Sequence, residues 1–371
     1  MRMTSTTRSR RLAARMSAGC GVLLLATTLA LPALAQESDY SIGVFYYPGW
    51  SPGARGPDPW SAIKPYPKRE PKLGWYCDGA VETLSTQLDW MHRYGIDYVV
   101  FDGYWRNGGP QLEQSLKAYL QAPQRQQVHF SLLWANHWAS SSLADFDAMV
   151  AYWVRNYLTR PEYLRIDDKP VIFIFSPDQL VDSAKSMGAP APDLLERARK
   201  QAVRAGLKGI YFVMATPALE FWAKTKAPEL GFDALSAYNY HFGLKGSSAS
   251  RTPASRSFSE LDDAYRMNWN WIVGHAPLPY IVPMSAGWDK RPWGGSGDPR
   301  HDDSVGSADE FARHLRAARA LMDAQPAKTL RMGVICCWNE FGEGSVIEPT
   351  RQAGFDYLER VREVFGAGHS R

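Results

Sequence analysis

The stretch Met332 to Trp338, MGVICCW, is an apolar run that leads directly into the acidic, glycine-rich segment Asn339 to Gly344, NEFGEG. A continuous apolar run of this length predicts a strand buried on both faces, as parallel strands are. Seven further runs rich in β-branched and aromatic residues precede it. They are Ile42 to Tyr47, Tyr98 to Phe101, His129 to Ala135, Val171 to Phe175, Ile210 to Ala215, Ala234 to Tyr240 and Tyr280 to Ser285.

Apolar residues at helical spacing lie between these runs. Val81, Leu84, Leu88 and Met91 form one such face, and Gly95 follows it as a stop signal. Eight strands alternating with helices, without a proline-rich or serine-rich linker, favour one (β/α)8 TIM barrel with long βα loops over a doubly wound open sheet. We expect this domain to span residues 36–371. No phosphate-binding glycine fingerprint follows the first strand, which weakens a nucleotide-binding alternative.

The residues at the amino terminus follow one another in the order typical of a secretory signal peptide. Five arginines and no acidic residue precede the apolar run Gly21 to Leu31, which ends in Ala33-Leu34-Ala35. This order predicts a cleaved signal peptide over residues 1–35 and a periplasmic or secreted protein. The triplet Ser9-Arg10-Arg11 leaves twin-arginine export open. No later run is long enough to predict a membrane span.

Removal of the signal changes the charge balance. The formal net charge of +4 less five arginines is −1, which weakens nucleic acid as a partner. Cys77, Cys336 and Cys337 are too few for a disulfide framework, and the last two are interpreted as small buried hydrophobic residues. No His-Glu-x-x-His or comparable cluster indicates a metal. We expect a monomer without a cofactor.

The carboxyl ends of the predicted strands carry aromatic and polar residues. In a barrel of this kind those ends build the active site. Aromatic rings stack on the apolar faces of sugars, while carboxylates and amides bind sugar hydroxyls, so a carbohydrate groove is predicted. The candidate substrate-binding residues are Tyr46, Tyr47, Asp102, Tyr104, Trp105, Trp134, Asn136, His137, Tyr240, Trp288 and Asn339.

Two alternatives stay open for this region. Tyrosine and tryptophan are bulky and often mostly buried, so these aromatics can instead fill the core under long loops. The loop from Ser51 to Asp78, which carries Trp60 and Tyr76 among prolines and glycines, is either a wall of the groove or a packed cover.

Glu340 and Glu343 are the candidate catalytic residues. Cleavage of an acetal bond between sugars needs one carboxyl group to protonate the leaving oxygen and a second to act as base or nucleophile. The alternative is that both glutamates cap the following helix, where negative charge is favourable. Glycines on both sides of Glu343 favour a loop shaped to hold it. Glu348 is a weaker third candidate whose surroundings indicate closure of the loop.

At these motifs the chain resembles the glycoside hydrolase family 99-like group, which includes endo-α-mannosidases and WbsX-type proteins. The most specific segments are Tyr46 to Trp50, Ile96 to Tyr98, Asp102 to Trp105, Leu133 to His137, Tyr163 to Ile166 with Lys169 to Val171, and Trp338 through Glu343 to Pro349. The resemblance implies that Glu343 is general acid and then base. It implies that Glu340 draws the proton from the sugar 2-hydroxyl, whose oxygen displaces the leaving group through an anhydro-sugar, with overall retention.

Phe341-Gly342 stands between the glutamates where the endo-α-mannosidases carry Trp-His, and here the chain is closer to the WbsX branch. We expect an exported glycoside hydrolase, an endo-acting α-mannosidase-like glycosidase, that cleaves a polysaccharide or glycan. The alternatives are a WbsX-type glycosyltransferase and a non-catalytic carbohydrate-binding barrel in polysaccharide assembly. Export argues against a transferase that uses a sugar nucleotide.

Overall fold

A computed structural model of the protein describes residues 40–138, 142–216, 219–244 and 251–366. The predicted signal peptide, residues 1–35, lies outside the described residues. Within them, eight strands follow one another in a parallel sheet and are numbered here in chain order. They are β1 Ser41–Tyr46, β2 Tyr98–Arg106, β3 His129–Trp134, β4 Lys169–Ile174, β5 Tyr211–Ala215, β6 Ala234–Ser236, β7 Val282–Ser285 and β8 Met332–Cys336.

All eight predicted strands are present, and two differ clearly at their carboxyl ends. β2 continues to Arg106 because its end pairs antiparallel with the short strand Gly109–Gln111. β6 stops at Ser236, four residues before the predicted end at Tyr240. Two other short hairpin strands, Asn339–Glu340 and Ser345–Val346, pair with each other directly after β8.

The sheet closes into a barrel. Its strand order is β6-β5-β4-β3-β2-β1-β8-β7, and every neighbouring pair is parallel. The two ends of this order meet at a parallel bridge between Leu235 and Tyr280. There the Leu235 amide donates to the Pro279 carbonyl at 2.8 Å, and the Ile281 amide donates to the Leu235 carbonyl at 2.9 Å. The predicted barrel is therefore confirmed, and the open sheet is wrong.

Helices cover the outside of the barrel, and serines that cap their first turns fix several starting points. Ser307 forms a reciprocal capping box with Glu310. The long helices are α1 Val81–Arg93, α2 Gln114–Gln121, α3 Leu143–Trp153, α4 Pro177–Ser186, α5 Ala191–Arg204, α6 Phe258–His275, α7 Ala308–Ala324 and α8 Asp356–Phe365. One-turn helices lie at Ala227–Glu229 and Pro326–Thr329. None of the helices in the described ranges is long and apolar enough to cross a membrane.

Side chains of each strand alternate between the barrel interior and the layer under the helices. In β2, Tyr98 and Val100 belong to the inner cluster with Phe45 and Phe173, while Phe101 and Trp105 belong to the outer one. Because the side chains alternate with a period of two, Asp102 also faces the barrel interior. The inner face of each strand therefore leads, at its carboxyl end, into the mouth of the barrel.

The cysteines of β8 depart from the expectation. Cys336 and Cys337 are fully buried, as predicted for small hydrophobic residues, but a disulfide joins them. The predicted burial is confirmed, and the bond between the two neighbouring cysteines was not predicted. Cys77 is a free, exposed thiol.

Gly43 makes room for a tyrosine that crosses the barrel interior. The ring of Tyr98 occupies the space that a side chain at Gly43 would take. Its hydroxyl reaches past β1 and donates to the Gly333 carbonyl of β8 at 2.8 Å. Tyr98 thereby links the two strands that flank β1.

Replacement of Gly43 by alanine should lower the free energy of unfolding by about 1–3 kcal/mol, because the added methyl group overlaps the buried Tyr98 ring. Chemical denaturation followed by far-UV circular dichroism measures this change. Gly274→Ala is the matched control, since Gly274 lies in α6 with open space around it and should gain up to about 1 kcal/mol. Equal stability of Gly43→Ala and the wild type would contradict the packing described here.

Candidate active site

A cavity of about 950 Å³ opens at the carboxyl ends of the strands. Every strand of the barrel contributes a lining residue from its end or from the loop that follows. In chain order of the strands these residues are Tyr47, Asp102, Ala135, Phe175, Thr216, Tyr238, Trp288 and Glu340, and Glu343 joins them from the loop after β8. The cavity is therefore placed where the barrel architecture predicts an active site.

Tyr238 connects two buried carboxyl groups at the base of this cavity. Its hydroxyl lies 2.9 Å from Oε1 of Glu340 and 3.2 Å from Oδ2 of Asp102. The second oxygens, Oε2 of Glu340 and Oδ1 of Asp102, are buried and have no hydrogen-bond partner among the described residues. One hydroxyl proton cannot serve two carboxylates fully, so the arrangement favours a proton on one of the two carboxyls.

The three cavity carboxyls hold protons more firmly than ordinary acids do. Burial raises the pKa of Asp102 well above its usual range, and the charge of Glu343 adds to this. Burial and the charges of Glu343 and Asp102 raise the pKa of Glu340 in the same direction. Burial raises the pKa of Glu343 to about 7, while Lys290 and Arg55 oppose the rise. Three negative charges therefore do not coexist here at neutral pH.

The loop after β8 sets the position of Glu343. Its amide donates to the Glu340 carbonyl at 3.0 Å, and its own carbonyl accepts from the Asp289 amide at 2.6 Å. Gly344 has φ of +72°, and a Cβ there would lie 2.8 Å from the Asp289 nitrogen. The next helix begins only at Asp356. The alternative that Glu340 and Glu343 cap a helix is therefore wrong.

Asn339 ties this loop to the end of β1. Its Oδ1 accepts from the Tyr47 amide at 2.9 Å, and its Nδ2 donates to the Tyr47 carbonyl at 3.0 Å. Its own carbonyl accepts from the indole N–H of Trp50 at 3.0 Å. Asn339 thus fixes where Tyr47 and Glu340 stand relative to each other.

The loop from Ser51 to Asp78 is both a wall of the cavity and a packed cover. Trp60 stacks on Trp50 at 4.0 Å between ring centroids, and both contact Phe341. Gly53, Ala54 and Arg55 of the same loop line the cavity. Both alternatives for this loop are therefore realised in different parts of it.

The Phe341-Gly342 pair has separate packing functions. Phe341 is fully buried in the aromatic cluster under the loop. A Cβ at Gly342 would enter the ring of Trp293, so only glycine leaves room for that indole. The Arg55 guanidinium lies 4.1 Å over the centroid of the Trp293 ring and donates to the Tyr47 hydroxyl at 3.3 Å.

A histidine pair forms another part of the wall. His301 Nδ1 lies 2.9 Å from the Ser255 carbonyl, which only accepts, so this nitrogen carries a proton. Its Nε2 lies 3.1 Å from Nδ1 of His241, a residue that lines the cavity. Burial lowers the pKa of His241 to about 4, so it is neutral.

A family model described as "Glycosyltransferase WbsX" matches residues 64–361. The chain belongs to the WbsX family. Two proteins named "Uncharacterized protein WxcX", from two strains of Xanthomonas campestris pv. campestris, are 24% and 25% identical over 321 and 323 residues. These matches cover 80% of this chain and 43% of each relative, so the chain spans less than half of their length.

Solved structures share the barrel. A "Glycoside hydrolase-like protein" has a TM-score of 0.62 and 18% identity over 90% of this chain and 96% of its own. A family 99 endo-α-mannosidase from Bacteroides thetaiotaomicron, in complex with bis-tris propane, has a TM-score of 0.59 and 16% identity over 88% of this chain and 96% of its own. The resemblance to the family 99-like and WbsX group is thus confirmed, and the structural likeness shows the fold.

The structure brings together more than half of the predicted site residues. Those that line the cavity are Tyr47, Asp102, Tyr104, His137, Trp288, Glu340 and Glu343. They come from five different strand ends or the loops that follow them, and their convergence follows from closure of the barrel. Their functions in binding and catalysis stay predictions.

Six predicted binding residues lie behind the cavity wall. Tyr46, Trp105, Trp134 and Tyr240 point into the layer under the helices, because each is one position out of phase with an inward neighbour. Asn136 exchanges hydrogen bonds with the backbone of Ser176. Asn339 is fully buried against Tyr47. Direct sugar contact is corrected to a supporting position for Tyr46, Trp105, Trp134, Asn136, Tyr240 and Asn339.

Several lining residues were not predicted. Tyr238 continues the inward phase of Ala234 and Ser236, whereas Tyr240 has the same phase in the sequence but lies in the outer layer because β6 already ends at Ser236. Arg106 has the same phase as Asp102 and Tyr104 on the extended end of β2, so the period of two also identifies it. Arg55 and Trp293 carry no such signal, because only loop packing in the WbsX barrel brings them to the cavity.

Glu348 lies behind the site and closes the loop, as its surroundings indicate. Tyr76 donates to its Oε2 at 2.7 Å, and Gln87 donates to its Oε1 at 3.0 Å. Burial raises its pKa from 4.5 to about 8. Because the folded pKa exceeds the unfolded one, Glu348 contributes stability that is fully present below about pH 4.5 and is lost as the pH rises through about 8.

Glu348→Gln should therefore gain stability relative to the wild type as the pH rises from 5 to 8, by about 1 kcal/mol or more. Urea unfolding of both proteins across this range measures the difference between their free energies of unfolding. Glu196→Gln, on the exposed face of α5, is the control and should show no such trend. A constant difference between Glu348→Gln and the wild type would show that Glu348 is ionised in the folded protein.

Proposed function

We propose that this chain is a glycoside hydrolase that cleaves a polysaccharide or glycan, with Glu340 and Glu343 as its catalytic carboxyl pair. The observation that carries the proposal is the pair of buried carboxyls, Asp102 and Glu340, joined by the Tyr238 hydroxyl, with Glu343 lining the same cavity. Glycoside cleavage needs a protonated carboxyl and an ionised one in the same cavity. A cluster that cannot ionise completely supplies both forms.

Glu343 suits the general acid. Its pKa of about 7 leaves much of it protonated near neutral pH, and it lines the cavity from a loop held by Gly344. In the protonated form it gives its proton to the leaving oxygen. In the second half of the reaction the resulting carboxylate takes a proton from the attacking water.

Glu340 suits the base. In the ionised form it takes the proton of the sugar 2-hydroxyl while that oxygen attacks C1 and the leaving group departs with the proton from Glu343. Water then attacks C1 of the anhydro-sugar, the 2-oxygen recovers its proton from Glu340, and the configuration at C1 is retained. This course requires a 2-hydroxyl on the face opposite to the leaving group, as in an α-mannoside.

Asp102 keeps Glu340 available as a base. A proton held on Asp102 can be donated to the Tyr238 oxygen, which leaves the tyrosine proton for Glu340. The shorter of the two distances to the Tyr238 hydroxyl is the one to Glu340, and this hydrogen bond lowers the pKa of Glu340 against the effect of burial. Asp102 thus holds a proton at the base of the cavity, and Glu340 stays ionised.

The description of the WbsX family favours one second candidate, glycosyl transfer. A carbohydrate acceptor that replaces water in the second step would give transfer with the same residues. Product formation that depends on an added sugar donor, without release of oligosaccharides from glycan alone, would identify a transferase. We further propose that the protein acts in the periplasm or outside the cell, from the signal-like order of residues 1–35.

Glu343→Gln and Glu340→Gln should each lower kcat by about 10²–10⁴-fold, since each removes a proton-transfer group. Release of oligosaccharides from a panel of bacterial and plant polysaccharides measures this loss. Glu196→Gln is the matched control and should match the wild type. Full activity of both site variants would refute the assignment, and binding without release by the wild type would identify a non-catalytic barrel.

Asp102→Asn should retain kcat within about tenfold of the wild type, because the amide can still donate to the Tyr238 oxygen. Asp102→Ala should lose about 100-fold, since Tyr238 is then free to turn away from Glu340. Single-turnover rates on a responsive glycan compare the two variants. If the asparagine and alanine variants were equally impaired, the charge of Asp102, and not its proton, would be what the reaction needs.

A further inference from the structure

Two arginines that line the cavity have no acidic partner. Among the described residues, no carboxylate lies within ion-pair distance of Arg55 or Arg106. Their neighbours differ in this respect, because Arg69 and Arg291 both pair with Asp289 at the edge of the site. Arg55 and Arg106 are therefore the lining arginines that can pair with an anionic group of a ligand.

Arg55 is held in place before any ligand arrives. Its guanidinium stacks 4.1 Å over the Trp293 ring, and Nη1 donates to the Tyr47 hydroxyl at 3.3 Å. Gly342 has no side chain, and the Trp293 ring fills the space that one would occupy. A stacked guanidinium keeps its remaining N–H groups in a fixed plane, which suits recognition of a carboxylate or phosphate and lowers the entropy lost on binding.

Arg106 repeats this arrangement on another part of the wall. Its guanidinium lies 4.9 Å over the ring of Trp138, a side chain that is 42% exposed at the cavity. Each arginine therefore lies over the ring of a tryptophan that itself lines the cavity.

The acids of the cavity do not cancel these charges. Asp102, Glu340 and Glu343 all have raised pKa values, mainly because they are buried. Arg55 lies near enough to lower the pKa of both Glu340 and Glu343. Near neutral pH the cavity thus combines two full positive charges with carboxyls that are partly protonated, which favours an anionic ligand.

We propose that the substrate is an acidic glycan, and that Arg55 binds an anionic group, a carboxylate or a phosphate, on a sugar next to the cleaved bond. Arg106 binds a second such group further along the chain. The position of the glycan rests on the proposed function, since Glu340 and Glu343 define the cleaved bond. Discrimination follows because a neutral sugar leaves the Arg55 donors without a charged acceptor.

Chemically matched glycans test this proposal. A panel of acidic capsular polysaccharides is used native, after carbodiimide–borohydride reduction of its carboxylates, and after hydrofluoric acid removal of its phosphates. The wild type should cleave a native form at least about tenfold faster, as kcat/KM, than the form that has lost its charge. The treatment that slows cleavage identifies the recognised group: carbodiimide–borohydride reduction points to a carboxylate, and hydrofluoric acid treatment points to a phosphate. Equal cleavage of all three forms would overturn the proposal.

Variants locate the preference at the arginine. In Arg55→Gln the ratio of kcat/KM between native and neutralised glycan should fall at least about tenfold, while Arg55→Lys should keep part of it. Arg362→Gln is the matched control, because Arg362 also stacks on an aromatic ring, that of Tyr94, and has no place in the cavity. A ratio unchanged in Arg55→Gln would contradict the assignment.

Affinity electrophoresis separates this proposal from hydrolysis. The Glu343→Gln variant, run through gels that contain native or neutralised polysaccharide, should be retarded only by the native form, and less so when Arg55→Gln is added. If no glycan is cleaved but this retardation is seen, the proposed hydrolysis fails while the acidic ligand stands. If glycans are cleaved without any preference for the charged form, the proposed hydrolysis stands and the acidic ligand is overturned.

Discussion

The Tyr238 hydroxyl, set between the buried carboxyls of Asp102 and Glu340, is the contact around which the site is built. Asp102 comes from β2, Tyr238 follows β6, and Glu340 follows β8, so 136 and 102 residues of chain separate the partners. Only closure of the barrel brings these strand ends together. Burial then makes full ionisation of the cluster unfavourable, and the proton that it retains is what acid and base chemistry requires.

The surroundings of this contact serve to hold it in place. Asn339 fixes Tyr47 against the loop that carries Glu340. Under that loop, Phe341 anchors it in an aromatic cluster with Trp50 and Trp60. The short segment between the glutamates thus packs the loop, because Phe341 lies in the aromatic cluster and Gly342 leaves space for the Trp293 ring.

The sequence predicted the barrel well, because continuous apolar runs with helical patterns between them leave few alternatives. It also pointed to Glu340 and Glu343, which follow the last buried strand and line the cavity; their catalytic roles stay predictions. It chose Tyr240 over Tyr238 because the two residues share one phase in the sequence, and only the end of β6 at Ser236 separates them. Arg55 was missed for another reason: loop packing against Trp293, and no local pattern, brings it to the cavity.

A carbon-13 NMR titration of protein labelled at its aspartate and glutamate carboxyl carbons tests most directly whether the cluster retains a proton. Asp102→Asn, Glu340→Gln and Glu343→Gln assign the three signals. At neutral pH at least one carboxyl should be protonated, and Glu343 should titrate near pH 7. If all three signals titrated below about pH 5, as exposed acids do, the carboxyls would be fully ionised and the account of the site would be wrong.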